Sequence, residues 1–421
     1  MKIAIVGTGI SALTCAHRLH KQHDLTLYEA TDWIGGHTHT VDVEVNRREY
    51  AVDTGFIVFN HKTYPNFLQL LGELYVPYQQ SCMSFSVKCD ETGLEYGGSS
   101  LGTLFAQKRN IAKPNYLRML YDITRFYRNA EKHLKLGDER SLGQFLSDEK
   151  YSQMFVDKHI VPMAAAVWSA PPSQMMEFPL KYLLRFFHNH GFTQINNRPQ
   201  WYVITGGSRE YVKKLVEPFK QNIRLNQPVM SVSRSEGQVS VVTSEGEEHY
   251  DEIIFSCHSD TALKLLADPT PQEEQVLGNI PYQANSVVLH TDASLMPKKK
   301  KAWASWNYRL PKGLSRDSTV TYWMNRLQGL PSDAPDFFVS LNQDDHIDPS
   351  LILRTFNYEH PIYTDSTLEA QAQHGTISGH NRTHYCGAYW FYGFHEDGVK
   401  SGLRVVENIS EKEKRERERA A

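Results

Sequence analysis

The feature that most constrains the fold is the glycine-rich stretch VGTGISALTCAHRL at residues 6–19. Residues 2–6, KIAIV, form a short β-branched run that is typical of a buried parallel strand. Residues 10–20 then carry apolar side chains at helical spacing, and residues 25–29, LTLYE, have the pattern of a second strand. A strand, a glycine turn, a helix and a strand in this order predict a βαβ unit that binds a dinucleotide.

The small residues of this turn each have a role in such a unit. Gly7 permits the tight turn, Gly9 lets the backbone approach a pyrophosphate, and Ala12 lets helix and strand pack closely. The phosphates would lie at the positive end of the helix that begins near Ile10. Glu29 ends the second strand, where a carboxylate binds the ribose hydroxyls and repels a 2′-phosphate.

Composition narrows the class of protein. The 421 residues predict two interlocked domains, and the net charge of −3 gives no reason to expect a nucleic-acid partner. The five cysteines lack C-x-x-C spacing, which argues against disulfides and a cysteine zinc site and favours a reducing compartment. No stretch approaches the ~20 apolar residues of a transmembrane helix. We therefore expect a cytoplasmic protein whose membrane contact, if any, is peripheral, at the inner face.

The rest of the chain alternates in character. Residues 108–192 have a helical pattern punctuated by prolines, and residues 200–266 return to α/β character. Residues 286–353 contain alternating strand-like runs that predict a mixed or antiparallel sheet. The charged tail 411–421, EKEKRERERAA, predicts a solvated helix or a frayed end.

A second motif distinguishes FAD from NAD. Glu29-Ala30 is followed by Gly35-Gly36 and then by Thr40. In this order the motifs resemble those of the flavin amine oxidase superfamily, where a glycine doublet lies against the flavin side of the pyrophosphate. The resemblance implies noncovalently bound FAD. His37 stands where many relatives have arginine, and His37 with His39 also permits an H-x-H metal pair, but no third ligand is apparent and we predict no metal.

Three later segments match the same superfamily. Residues 52–56, VDTGF, resemble the segment that brings backbone close to the isoalloxazine, although a plain strand end fits them too. Residues 205–208, TGGS, resemble the return into the FAD domain, and the backbone of Val229 is then expected at the adenine. Residues 387–398 resemble the closing motif, which implies that a helix beginning near Gly398 directs its N–H groups at the flavin O2.

The resemblance covers residues 1 to about 409 and implies an α/β fold. A Rossmann-like FAD-binding domain would comprise residues 1–60, 200–270 and 385–410, and a mixed-sheet and helical substrate domain residues 61–199 and 271–384. The residues that it implies for cofactor binding are Gly7, Gly9, Ile10, Ser11, Ala12, Glu29, Ala30, Gly35, Gly36, His37, Thr38, Gly55, Phe56, Val229, Asp397, Gly398 and Val399.

The closing motif also departs from that of amine oxidases. Phe394 occupies the position of a tyrosine that helps to receive an amine, and Ala388 replaces an acidic residue. Phe394, Trp390 and Trp306 are candidate walls of a substrate pocket, although each also fits an ordinary core. The sequence does not identify a catalytic residue. A base could be His290, His360 or His395, and one of the lysines at 298–301 could lie near flavin N5, but nothing in the sequence favours one of them.

Three functions follow from these motifs. The chain looks closest to predicted NAD/FAD-binding oxidoreductases of bacteria, which are similar to the flavoprotein domain fused to some plant cyclopropane-fatty-acid synthases. That kinship implies an FAD-dependent oxidase or dehydrogenase with hydride transfer to flavin N5. Its substrate, a small molecule or a lipid, is expected to be a lipid acyl chain that undergoes desaturation or another modification. The alternatives are an amine oxidase acting on a small amine and a non-catalytic, FAD-stabilised partner of a lipid methyltransferase.

Overall fold

The computed structural model describes residues 1–194, 198–313 and 318–420. Its strands follow one another in chain order. They are β1 Lys2–Val6, β2 Asp24–Tyr28, β3 Thr40–Val45, β4 Arg48–Asp53, β5 Val58–Asn60, β6 Tyr78–Ser81, β7 Phe85–Cys89, β8 Leu94–Gly97, β9 Trp201–Ile204, β10 Ile223–Arg224, β11 Ser231–Ser235, β12 Gln238–Thr243, β13 Gly246–Tyr250, β14 Glu252–Phe255, β15 Tyr282–His290, β16 Trp306–Leu310, β17 Val320–Trp323, β18 Phe338–Leu341, β19 Ile352–Pro361 and β20 Thr383–Tyr385.

The helices are α1 Ile10–Leu19, α2 Pro65–Glu73, α3 Leu101–Leu104, α4 Pro114–Leu136, α5 Leu142–Asp148, α6 Gln153–Phe155, α7 Val161–Trp168, α8 Pro172–Glu177, α9 Leu180–Asn189, α10 Arg209–Val216, α11 Ser259–Leu265, α12 Pro271–Gly278, α13 Asp365–Ala372, α14 His374–Ile377 and α15 His395–Ala420. Seven of these helices, α3 to α9, follow one another between β8 and β9. No helix in the described ranges has both the length and the apolar character needed to cross a bilayer.

The first sheet confirms the predicted βαβ unit. Its strands lie in the order β10-β2-β1-β14-β20, and every pair is parallel. Val6 pairs with Tyr28 of β2 on one side and with Phe255 of β14 on the other. Because parallel strands end at the same edge, the loops after β1, β2 and β14 meet there, at a point where a ligand can enter.

The second sheet confirms the predicted mixed sheet. Its seven strands follow the order β19-β15-β18-β17-β16-β7-β8. Strands β16 and β7 are parallel, whereas the other neighbouring pairs are antiparallel. Helices α4 to α9 occupy the predicted helical region, and their apolar faces share one core with this sheet. The chain thus has the predicted α/β class, with a Rossmann-like sheet and a second, mixed sheet covered by helices.

Two cores lie on opposite faces of the first sheet. Phe67 and Leu71 of α2 belong to one of them, and Val276 and Leu277 of α12 belong to the other. The sequence-based division assigns both helices to the substrate domain, although they pack against the nucleotide-binding half. The division of the chain into domains stays a prediction.

Helix α15 begins at His395, so the expected start near Gly398 was wrong. The Phe394 amide donates to Asp397 Oδ2 at 3.0 Å, and the Gly398 amide donates to the Phe394 carbonyl at 3.1 Å. An acidic residue in the first turn that caps the preceding amide is a helix-start signal. The charged tail continues this helix to Ala420, while Ala421 lies outside the described residues.

Helix α15 is held tightly against α1. A Cβ atom added to Gly398 would lie 2.5 Å from Ile10 Cγ2, and one added to Gly402 would lie 2.6 Å from the Ser11 carbonyl oxygen. Further along, Lys412 forms an ion pair with the buried carboxylate of Glu252. Helix α15 therefore covers α1 on the side facing away from the first sheet.

Candidate active site

One cavity of about 760 Å³ begins at the carboxyl edge of the first sheet and extends to the second sheet. The loops after β1, β2 and β14 line its first end, and side chains from α7, α9 and the second sheet line the other. Thirteen of the seventeen residues expected to bind the cofactor are brought together at or beside it. The lining includes Gly7, Gly9, Ile10, Ser11, Glu29, Ala30, Gly35, Gly36, His37, Thr38, Gly55 and Phe56, and Ala12 is buried in the same turn.

The first loop leaves space where a phosphate group needs it. Gly7 has φ +101°, and an added Cβ would lie 3.2 Å from the Ser256 carbonyl oxygen. Gly9 is different, because its φ is −66° and an added Cβ would meet no atom within 4 Å. Gly9 also gives α1 no side-chain cap, and the first N–H groups of a helix have no partner within it. The loop thus offers open space and backbone donors to an anion.

Glu29 follows directly after β2 and its carboxylate is fixed by neighbouring groups. Oε2 accepts from the Thr8 amide at 3.0 Å and from the Thr8 hydroxyl at 2.6 Å. Oε1 accepts from the Thr31 amide and hydroxyl at 3.0 and 2.9 Å. The residue is 9% exposed and lines the cavity. A fixed carboxylate next to a helix N-terminus matches the hydroxyls and phosphates of a dinucleotide, so these residues fit the expected cofactor.

The glycine doublet packs against the first loop. Gly35 and Gly36 have φ values of +130° and +57°, and a Cβ on Gly36 would lie 3.1 Å from the Gly9 Cα. A Cβ on Gly55 would lie 2.1 Å from the His37 carbonyl oxygen, and the Phe56 amide donates to that same oxygen at 2.7 Å. Three segments of backbone therefore approach one another at distances that side chains would prevent.

His37 belongs to a histidine cluster that sequence reasoning missed. Its ring centroid lies 6.2 Å from that of His258 and 5.5 Å from that of His360. Burial, and then the neighbouring imidazoles, lower the pKa of His37 to about 4 and that of His360 to about 3. His258 Nδ1 lies 3.4 Å from Glu359 Oε2. The cluster is mainly uncharged at neutral pH and faces the nucleotide end of the cavity.

His39 does not join His37 in a metal pair. Its Nδ1 lies 2.7 Å from the Tyr358 hydroxyl oxygen, and its ring stacks on Trp33 at 4.7 Å. Within the described ranges, no three His, Cys, Asp or Glu side chains are grouped so that they could hold a metal ion. Both histidines contact Tyr358, since the His37 ring centroid lies 5.3 Å from that of Tyr358.

Asp53 connects the segment 52–56 to the segment 205–208. Its Oδ1 accepts from the Thr40 hydroxyl at 2.6 Å, and from the Ser208 amide and hydroxyl at 2.9 Å each. Burial raises the pKa of Asp53 to about 6, partly opposed by these hydrogen bonds. The contact holds Gly55 and Phe56 in place at the cavity.

The N-terminus of α15 brings His395 into the centre of the cavity lining. Its ring stacks on Phe56, and its Nε2 lies 2.8 Å from the Tyr211 hydroxyl oxygen. That hydroxyl lies 2.6 Å from Thr38 Oγ1. Burial lowers the pKa of His395 to about 3. The positive end of the α15 dipole lies here, where it stabilises negative charge in the cavity.

Besides the buried Ala12, four residues expected at the cofactor do not line the cavity. Asp397, Gly398 and Val399 follow His395 in the first turns of α15, with Gly398 packed on α1 and Val399 2% exposed. Burial raises the pKa of Asp397 to about 7. Val229 lies in the core on the other face of the first sheet.

The far end of the cavity is mainly aromatic. Phe394 and Trp306 line it as expected, and Phe394 stacks on Phe186 with centroids 4.5 Å apart. Trp390 does not line it but packs edge-on against His374 in a core at 4.6 Å. Sequence reasoning missed several other walls, since they come from separate elements. They are Met83, Trp168, Phe192, Tyr322, Tyr363 and Tyr392.

Other candidates lie away from this cavity. His290 is fully buried, with its Nε2 2.8 Å from Ser340 Oγ. The lysines at 298–301 lie on a surface loop, where Glu95 accepts from two of their amides.

The family model of flavin containing amine oxidoreductases matches residues 10–337, which is more than half of the chain. No curated protein sequence matches at a significant level.

Solved structures share the fold over nearly the whole chain. A cyclohexylamine oxidase from Brevibacterium oxydans IH-35A is 13% identical with a TM-score of 0.69, covering 98% of this chain and 99% of that one. A putrescine oxidase variant is 14% identical with a TM-score of 0.69, covering 97% and 99%. A CLA-producing fatty acid isomerase from P. acnes is 15% identical with a TM-score of 0.64, covering 96% and 97%.

Proposed function

The chain belongs to the family of flavin containing amine oxidoreductases, and from this premise we propose that it oxidises a C–H bond in the acyl chain of a lipid. The family is that of FAD-dependent oxidoreductases, and FAD supplies a hydride acceptor at N5 of the flavin. The residues that would hold it are the Gly7–Gly9 loop, Glu29 and the Gly35–Gly36 doublet. The protein must then supply a pocket that positions the C–H bond and excludes water.

The observation that carries the proposal is the charge distribution of the cavity. Among the described lining residues, the only carboxylates are Glu29, beside the phosphate loop, and Glu359, beside His258. Glu359 Oε2 lies 3.4 Å from His258 Nδ1, and the Glu359 side chain is 53% exposed to solvent. A protonated amine in the aromatic end would find no carboxylate beside it, and an unpaired buried charge is costly. An uncharged hydrocarbon chain has no such cost.

The absence of cations in the lining favours an esterified chain. No lysine or arginine is found among the described residues that line the cavity, so a free fatty acid carboxylate would have no counter-charge inside. An acyl chain whose polar headgroup stays outside the cavity avoids this cost. The proposed substrate is therefore the acyl chain of a phospholipid.

Oxidation of a small amine is the second candidate. It is favoured by the rings of Phe394, Tyr392 and Trp306 in the lining, since aromatic faces attract cations. Two of the solved structures with this fold are those of a cyclohexylamine oxidase and a putrescine oxidase. The missing carboxylate is the reason for placing it second.

Anaerobic bleaching of the flavin distinguishes the two. The FAD-loaded protein is mixed, without oxygen, with one of three kinds of donor. The first is a monounsaturated or methyl-branched phospholipid in detergent micelles, and the second is the matching free fatty acid. The third is an amine, either putrescine or cyclohexylamine. We expect reduction by the phospholipid and slower reduction by the free acid. Reduction by the amines alone would overturn the lipid proposal. The proposal would also be overturned if neither the phospholipid nor the free fatty acid changed the flavin absorbance.

A further inference from the structure

Exposed hydrophobic side chains are concentrated on the first part of the helical region. Of the ten large hydrophobic side chains that are exposed among the described residues, four fall within residues 101–121. Tyr116 and Met119 on the inner side of α4 are fully buried, so the exposed residues of α4 belong to its outer side. The four exposed side chains are Leu101 at 75%, Ile111 at 57%, Leu117 at 45% and Tyr121 at 57%.

The same segment is basic and has no acidic residue. Residues 98–121 contain Lys108, Arg109, Lys113 and Arg118 and no Asp or Glu. Arg109 donates to the Gly93 carbonyl at 3.0 Å, and Arg118 pairs with Asp122 while its side chain stays 51% exposed. The basic side chains therefore stand among apolar ones on the surface.

Four further lysines lie beside α3. A Cβ on Gly102 would lie 3.3 Å from Lys301 Cε, and Glu95 holds the loop by accepting from the Lys298 and Lys299 amides at 2.8 and 3.0 Å. Lys300 Nζ lies 5.1 Å from the Trp303 ring. In the part of the chain that the structure describes, no ion pair involves Lys108, Lys113 or the lysines at 298–301.

We propose that residues 101–121 together with Lys298–Lys301, which we call the basic face, dock on an anionic phospholipid bilayer. Exposed apolar side chains next to lysines are the pattern of surfaces that lie in a membrane interface, where the chains enter the headgroup region and the lysines contact phosphates. Protein interfaces are instead depleted in lysine, whereas six of the eight basic residues here are lysines. The proposal concerns a surface outside the cavity and does not depend on the identity of the substrate.

Vesicle co-sedimentation of the FAD-loaded protein tests this proposal. One set of vesicles is phosphatidylcholine alone, and the other contains about one quarter phosphatidylglycerol. We expect binding to the second set that weakens at high salt, because screening reduces attraction between charges. The double variants Lys108→Glu/Lys113→Glu and Lys300→Glu/Lys301→Glu should each weaken binding by roughly fivefold or more for each lysine replaced, because each change removes a positive charge and adds a negative one.

Matched variants separate the basic face from general effects. Lys21→Glu with Lys220→Glu changes the charge equally on exposed lysines elsewhere and should leave binding as in the wild type. Leu101→Ser with Ile111→Ser and Leu117→Ser should reduce binding, whereas Met230→Ser with Leu351→Ser should not. Flavin absorbance and circular dichroism confirm that each variant is folded.

The outcomes are decisive in both directions. A wild-type chain that stays in the supernatant with anionic vesicles overturns the proposal, even if the same surface is later found to bind a protein. So does vesicle binding that the basic-face and control variants reduce equally. A bleaching experiment that fails with phospholipid would overturn the proposed substrate and leave this result unchanged.

Discussion

The imidazole of His395 stacks face to face on the ring of Phe56, with centroids 3.6 Å apart and planes inclined by 8°. The two residues lie more than three hundred positions apart in the sequence. Phe56 is held by the His37 carbonyl, and His395 begins α15. The stack thus joins the segment after β4 to the closing helix at the centre of the cavity lining.

The burial of His395 predicts that its imidazole does not change protonation state near neutral pH. Its pKa is lowered to about 3 by burial, so the ring is neutral throughout the range pH 6–8. His395→Gln keeps a polar atom for Tyr211, and we expect it to leave the shape of the pH profile of anaerobic flavin reduction unchanged. Stopped-flow absorbance measures this. Loss of an ionisation from the profile in the variant would show that His395 exchanges a proton with the substrate.

Gly9→Ala should weaken FAD binding without disturbing the fold. The backbone angle suits alanine and its methyl group meets no protein atom, but it would occupy the space offered to the pyrophosphate. Lost hydrogen bonds to a charged group cost about 1.5–3 kcal/mol each, so FAD affinity should fall roughly tenfold or more.

Gly7→Ala is the contrasting control. Its φ of +101° and the close Ser256 carbonyl should destabilise the folded protein itself by about 1–3 kcal/mol. Urea unfolding of the apoprotein and FAD titration measure the two effects. Equal loss of stability in both variants would refute the assignment of Gly9 to the cofactor.

Glu29→Gln should weaken FAD binding more than FMN binding. FMN lacks the adenosine ribose that the carboxylate is expected to hold, whereas both molecules feel any general damage to the loop. The ratio of the two dissociation constants should change by roughly tenfold. Asp32→Asn, an exposed acid in the next loop, is the control, and an unchanged ratio in Glu29→Gln would refute the ribose contact.

Trp306→Ala should affect the substrate and spare the cofactor. Trp306 lines the apolar end of the cavity and packs edge-on against Tyr322 at 5.0 Å. Losing a large apolar contact of about 1.5–3 kcal/mol should lower flavin reduction at limiting phospholipid by roughly tenfold or more. Trp303→Ala, at a buried position outside the lining, should lower stability and keep the substrate dependence. The opposite pattern would exclude Trp306 from the substrate pocket.

Acid should destabilise the protein through its buried histidines. Burial lowers the pKa of His374 to about 3, below the ordinary value of 6.5. The unfolded chain therefore takes up a proton first, and the stability present above pH 6.5 is lost as the pH falls toward 3. The loss is about 1.4 kcal/mol per pH unit for each such histidine.

His374→Gln isolates one of these groups. Glutamine retains a donor for the Tyr385 carbonyl, which His374 Nε2 meets at 2.8 Å, but it cannot take up the proton. The change in urea midpoint between pH 7 and pH 5 should be smaller in this variant than in wild type. The exposed His380→Gln is the control, and an unchanged pH dependence in His374→Gln would contradict the explanation.

The nucleotide half could be predicted because its signals are local. Lys2–Val6 is a strand with the predicted bounds, and Glu29 lies directly after β2. These positions follow from apolar periodicity and from glycines within a few residues of each other. The start of α15 was expected three residues too late, although Glu396 and Asp397 in the first turn mark it.

The rest of the site depends on contacts between distant segments. His37, His258 and His360 come from three separate loops or strands, and no pattern within any one of them indicates the cluster. Trp390 and Trp306 look alike in sequence, but only tertiary packing decides that the first joins a core and the second faces the cavity. A single sequence does not contain that information in readable form.

The close packing of α15 on α1 has a consequence for biosynthesis. The strand and helix that form the phosphate loop are made first, whereas β20 and α15, which complete the same sheet and cover α1, are made long afterwards. The side of α1 that packs on α15 therefore stays uncovered until residues 383–420 have been synthesised. Flavin loading then becomes a late event, and a chain truncated before His395 should be a client of chaperones instead of a smaller flavoprotein.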